Sequence, residues 1–109
     1  MGIVWLPSAV EDFVFLLEKV EALFGSNVAA NVKHKISSHI NLLASFPYIG
    51  MRDLNFSDEH RDIRYLVNTP NIIYYAISQN EVLIISILDT RQSPENIRQR
   101  ISGQLKRYK

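Results

Sequence analysis

The chain contains no cysteine, which excludes disulfides and thiolate metal sites. It has no run of 18 apolar residues, so nothing in it reads as a membrane span. The basic-then-apolar layout of a secretory signal is also missing, because Gly2 to Leu6 passes directly into a charged amphipathic segment. These three absences together point to the cytoplasm. There is no Gly-rich phosphate loop, no HExxH or comparable metal spacing, and no serine in a nucleophile elbow. His34, His39 and His60 are scattered, and His34 and His39, five apart, do not stack on one helix face. Neither a metal nor a cofactor is expected. Lysine is absent between Lys35 and Lys106.

What is present suits one small domain over residues 1–109, since 47% hydrophobic content in 109 residues supports a single core. The net charge of +1 hides an asymmetry. Residues 1–90 hold six Lys/Arg against ten Asp/Glu, a balance of −4, whereas residues 91–109 hold Arg91, Arg98, Arg100, Lys106, Arg107 and Lys109 against Glu95 alone, a balance of +5. A basic tail on an acidic body suits an acidic partner. A solvated helix face with cations near its C-terminus accounts for it equally well.

Ile3-Val4-Trp5-Leu6 reads as a short strand. Ser8-Ala9-Val10-Glu11 has capping-box spacing, and Phe13, Leu16, Leu17, Val20, Leu23 and Phe24 then recur at helical intervals until Gly25. Ser26 can cap a second helix, with Ala29, Val32, Ile36, Ile40 and Leu43 on one face and Pro47 ending it. So short a connection predicts a helical hairpin. After an irregular stretch from Tyr48 to His60, three strand-like runs follow at 63–67, 72–78 and 82–88, an antiparallel meander. Ser93-Pro94-Glu95 then opens a helix bearing Ile97, Ile101, Leu105 and Tyr108 at helical spacing. The class is α+β, in the order β-α-α-β-β-β-α, with a helical hairpin on one face of a small antiparallel sheet. The opposite face is left partly open as a binding surface.

Candidate chemistry reduces to arginines. Arg61, Arg64 and Arg91 offer planar forks suited to phosphate or carboxylate, and Arg91 follows directly on the most apolar strand. A salt bridge to Asp62, Asp89 or another carboxylate would explain each without any function.

The element order, the Phe46-Pro47-Tyr48-Ile49-Gly50 loop, the Ile72-Ile73-Tyr74-Tyr75 strand and Asp89-Thr90-Arg91-Gln92-Ser93-Pro94 after the last strand resemble the RelE/ParE superfamily of type II toxin–antitoxin toxins. For RelE-like members the resemblance implies ribosome-dependent mRNA cleavage by two lysines, two arginines and a tyrosine. At the matching positions this chain has Asp62 and Arg64, Asn71, Arg91, and Ile97. Asp62 would repel the phosphate, Asn71 cannot neutralise charge, and the tyrosine is missing. Arg61, His60 or Tyr108 could compensate from other positions. ParE-like members resemble the chain better. They are implied to inhibit DNA gyrase by binding and not by catalysis, through a region that includes the C-terminal part, here Arg91, Arg98, Arg100, Lys106 and Arg107. The alternatives are a ribosome-dependent mRNA endonuclease using Arg61, Arg64 and Arg91, or a non-toxic relative that has kept antitoxin binding. All imply a cognate antitoxin, in a hetero-oligomer with it or beside a homodimer. Its expected groove is at Val10, Phe13, Val14, Leu17 and Val20, where the first helix has apolar residues on two faces.

Overall fold

The computed structural model describes residues 1–107. Strand β1 (Gly2–Trp5) leads into α1 (Pro7–Phe24), α2 (Ser26–Asn41) and a single 3₁₀ turn at Leu42–Ala44. Then come β2 (Met51–Arg52), β3 (Asp62–Asn68), β4 (Asn71–Ser78), β5 (Glu81–Asp89) and α3 (Pro94–Arg107). The three meander strands match the expected runs to within one residue at each end. Tyr108, expected on α3, and Lys109 lie outside the described residues.

The sheet is larger and less uniform than the sequence pattern suggests. Its order is β1-β5-β4-β3-β2, with β1 parallel to β5 and every other pair antiparallel. The additional strand, β2, has two residues, too few to leave a period-2 signal in the sequence. The parallel pair is possible because the hairpin and three strands intervene between β1 and β5, far more chain than a crossover needs.

The helix ends follow local chemistry. Pro7 opens α1, with Leu6 holding the extended N-cap conformation at φ −69° and ψ 153°. Ser8 therefore lies inside the first turn and not at the cap. Gly25, at φ 92°, closes α1 with its N–H on the Glu21 carbonyl and serves as N-cap of α2, so Ser26 is the first helical residue. A left-handed residue here turns the chain back at once, and glycine adopts it without steric cost. At α3 the Ser93 hydroxyl accepts from the Asn96 N–H at 3.1 Å, and Pro94 takes the first helical position.

Two apolar layers flank the sheet. On the hairpin side Ile36, Ile40 and Leu43 are buried against Leu66, Ile73, Tyr75, Val82, Ile84 and Ile87. The other face, expected to be partly open, is covered by α3: Ile101 is buried with Ile63, Tyr74, Ile85 and Leu88, flanked by Ile97 and Leu105. An amphipathic helix and an apolar sheet face each need a partner, and here they meet. Tyr74 and Tyr75 divide between the two layers, as strand alternation dictates.

The edge of β5 is sealed from within the chain. Strand β1 pairs only with Glu81 to Ile84, and a bulge opposite Tyr74 and Tyr75 follows. Past that point α1 takes over. Ser8 donates its hydroxyl to the Ile85 carbonyl at 2.6 Å, and Asp12 accepts the Ile87 N–H at 3.0 Å and the Ser86 hydroxyl at 2.5 Å. Ser8 and Asp12 are four residues apart and share a helix face, so one turn of α1 satisfies donors and acceptors that would otherwise offer a template for pairing.

Candidate functional site

The three candidate catalytic arginines do not converge. Arg64 lies in β3 on the hairpin face, opposite Tyr75. Its Nε donates to Asp62 Oδ1 at 3.0 Å and its Nη1 to the carbonyls of Tyr48 and Gly50 at 3.1 and 3.0 Å, while the guanidinium stacks over the Tyr48 ring at 5.1 Å. It is a staple for the loop between α2 and β2. Tyr75 works from beneath: its hydroxyl donates to the Pro47 carbonyl at 2.8 Å and accepts the Gly50 N–H at 2.9 Å. Gly50 is required there, because a Cβ would come within 2.5 Å of the Tyr75 hydroxyl oxygen and 2.9 Å of the Tyr65 carbonyl.

Arg61 immediately precedes β3, beside a cleft of about 440 Å³ shared with His60, Ser78 and Gln79. Arg91 follows β5 at the opposite end of the sheet, since Asp89 pairs with Asn71 and Asn71 with Asn68, while Asp62 pairs with Ile77. The seven residues of β3, Asp62 to Asn68, span about 20 Å of strand, so Arg61 and Arg91 cannot share one phosphate. Arg91 donates through Nε and Nη2 to the Asp89 carboxylate. This hydrogen bond outweighs the cost of partial burial and holds the Asp89 carboxyl down at about 2. His60 is exposed and sits 3.5 Å from Glu59, and Tyr108 is outside the described residues.

The basic helix α3 is docked by one of its own cations. Arg100 Nη2 pairs with Asp12 Oδ1, whose other oxygen holds Ser86 and Ile87, so a single carboxylate joins α1, β5 and α3. Asp12 is thus a structural hub, and its four-residue spacing from Ser8 was the signal available in the sequence. Arg107 Nη1 reaches Gln104 Oε1 at 3.4 Å. Arg98 and Lys106 are exposed on α3, and neither has an ion-pair partner among the described residues. Of the five expected target-contacting cations, then, Arg91 and Arg100 are held by carboxylates, and Arg98 and Lys106 face solvent.

On the hairpin, Val10 and Val14 are exposed, and Leu17 and Val20 are half-buried. Phe13 points inward, packing its ring 5.1 Å from Trp5 against the hairpin-side core. Val10, Val14 and Leu17 recur at helical spacing and form an outward apolar stripe. The His39 ring nitrogen Nδ1 is bound by the Asn68 amide at 3.0 Å. Among the described residues no cluster of three His, Cys, Asp or Glu could hold a metal ion, and no helix is long and apolar enough to cross a membrane.

Comparison with known proteins follows this geometry. The family model for the ParE toxin of the type II toxin–antitoxin system parDE matches residues 3–94, from β1 to the first residue of α3. No curated protein matches the chain. A solved structure described as the chromosomal ParDE toxin–antitoxin system from P. aeruginosa shares the fold with a TM-score of 0.66 at 17% identity, over 82% of this chain and 95% of that one.

Proposed function

Because the chain belongs to the ParE toxin family of type II toxin–antitoxin systems, we propose that it acts by binding DNA gyrase and stalling it, without catalysing a reaction, until an antitoxin sequesters it. The observation that carries this reading is the dispersal of the arginines. Metal-free RNA cleavage needs several groups to act on one phosphate at once: one activating the 2′-hydroxyl, one stabilising charge, one protonating the leaving oxygen. Arg64 is spent on the Tyr48–Gly50 loop, Arg91 pairs with Asp89, and Arg61 lies at the far end of the sheet. A binding mechanism needs only a presented surface, and α3 presents Arg98 and Lys106 on a helix fixed in place through Arg100 and Asp12. That surface lies outside the segment matched by the family model.

The antitoxin, in this reading, covers the outer stripe of α1 at Val10, Val14, Leu17 and Val20, and the setting is the cytoplasm. The test uses purified, folded protein added to bacterial DNA gyrase and, separately, to a reconstituted translation system. Loss of supercoiling with accumulation of cleaved DNA, and intact mRNA, is the expected pair of results. Unaffected gyrase at high excess would end the proposal, and mRNA cleavage abolished by Arg91→Ala would establish the nuclease in its place.

A further inference from the structure

Between α1, the end of β5 and α3 lies a cleft of about 490 Å³ that none of the roles above uses. Leu16, Ile87 and Leu88 form its apolar lining, with Phe15 at its flank. The group that marks it is Asn71. Strand alternation puts this side chain on the hairpin face with Ile73 and Tyr75, across from Asp89. Asn71 is 4% exposed and lines the cleft, and its carboxamide has no hydrogen-bond partner among the described residues. A buried amide without a partner is costly, so a group that can both donate to it and accept from it is favoured over an apolar one.

The charges of the lining select the ligand class. The carboxylates of Glu11, Asp12 and Asp89 face the cations of Lys19 and Arg100. Asp12 is paired with Arg100 and Asp89 with Arg91, so the local balance is even and a polyanion gains nothing there. Glu11 and Lys19 have no ion-pair partner among the described residues, and Lys19 is close enough to help hold the Asp89 carboxyl down. These two charges of opposite sign are eight residues apart, about 12 Å along α1. An extended peptide puts residues i and i+4 on one face about 13 Å apart, with i+2 between them. Such a segment can set a basic side chain at Glu11, an acidic one at Lys19, and its central side chain into the cleft. The ammonium and carboxylate of a free amino acid lie too close together to meet both ends. Glutamine suits the central position: its aliphatic stem lies on Leu16 and Ile87, and its carboxamide pairs with that of Asn71, donor to acceptor and acceptor to donor.

We propose that this cleft binds an extended segment of a partner protein, with a glutamine seated on Asn71 between a basic residue at Glu11 and an acidic residue at Lys19. The stripe at Val10, Val14 and Leu17 lies on another side of α1, and the inference stands whether or not gyrase is the target.

The test titrates isotope-labelled protein with four probes and follows the backbone NMR resonances of residues 87–92. The probes are the blocked pentapeptide Lys-Ala-Gln-Ala-Asp, the same peptide with leucine in place of glutamine, free glutamine, and adenosine. Wild type is expected to bind the glutamine peptide about fivefold or more tighter than the leucine peptide, the lower end of the penalty for an unpaired buried amide. Asn71→Leu should reverse that order, a result that misfolding cannot produce. Lys19→Glu should weaken the glutamine peptide severalfold. Equal binding of the two peptides by wild type overturns the inference, as does the absence of any shift with peptide at about 10 mM, well above a weak millimolar Kd. Tighter binding of adenosine or of free glutamine also overturns it, since the occupant is then a small molecule and not a protein segment.

Discussion

Replacing Asp12 separates its two duties. Asp12→Ala leaves the Ile87 N–H and the Ser86 hydroxyl without their acceptor at the β5 edge. Each such group costs about 1–3 kcal/mol when it is buried and unsatisfied. The ion pair with Arg100 adds little, because that guanidinium is 41% exposed and the pair counts for under about 1 kcal/mol after solvent screening. The sum is about 2–7 kcal/mol, a large share of the ~5–15 kcal/mol typical of a domain. Arg100→Ala should cost under about 1 kcal/mol. Asp12→Asn, which keeps one acceptor for the strand edge and loses only the charge, should fall between, at about 1–2 kcal/mol. Equilibrium urea unfolding measures all three from the midpoint shift at constant slope. If Asp12→Ala and Arg100→Ala proved equally mild, the carboxylate would matter only as an ion-pair partner, and the edge-sealing account would be wrong.

Three further outcomes follow from the same geometry. Gly50→Ala forces a Cβ against the Tyr75 hydroxyl and the Tyr65 carbonyl, and should destabilise by about 2–4 kcal/mol through overpacking and displaced hydrogen bonds, read as a lowered melting temperature. Arg91→Ala should return the Asp89 carboxyl from about 2 toward its ordinary 3.8 in an NMR titration. Because the folded-state value is depressed, the wild-type pair stabilises the protein above about pH 4 and loses that contribution as pH falls toward 2; a variant with the same acid profile as wild type would contradict this. Val14→Asp, on the exposed α1 stripe, should weaken capture by the antitoxin at least tenfold while leaving the melting temperature within a few degrees, measured by co-purification of the co-expressed pair.

Local signals carried most of the fold. Alternation and apolar runs located β3, β4 and β5, Gly25 marked the turn between the helices, and Ser93-Pro94 opened α3, because each depends on residues adjacent in the chain. Features that depend on distant partners were not legible. Ser8 resembled a cap until Leu6 and Pro7 were seen to set the helix start and the Ile85 carbonyl to take its hydroxyl. Arg64 resembled a catalytic group because the carbonyls it binds, on Tyr48 and Gly50, are invisible as side chains. Arg91 and its neighbour Asp89 could be foreseen as a pair, and the structure joins them. The loop between α2 and β2 lacked any period, and only its bonds to Arg64 and Tyr75 show why it is ordered.

The most direct measurement of the central claim is pulse-labelling of DNA and protein synthesis in bacteria just after the chain is induced without an antitoxin. The account predicts that DNA synthesis falls first and that Arg98→Glu with Lys106→Glu delays the fall. If protein synthesis falls first, the ribosome is the target and the gyrase-binding account is contradicted.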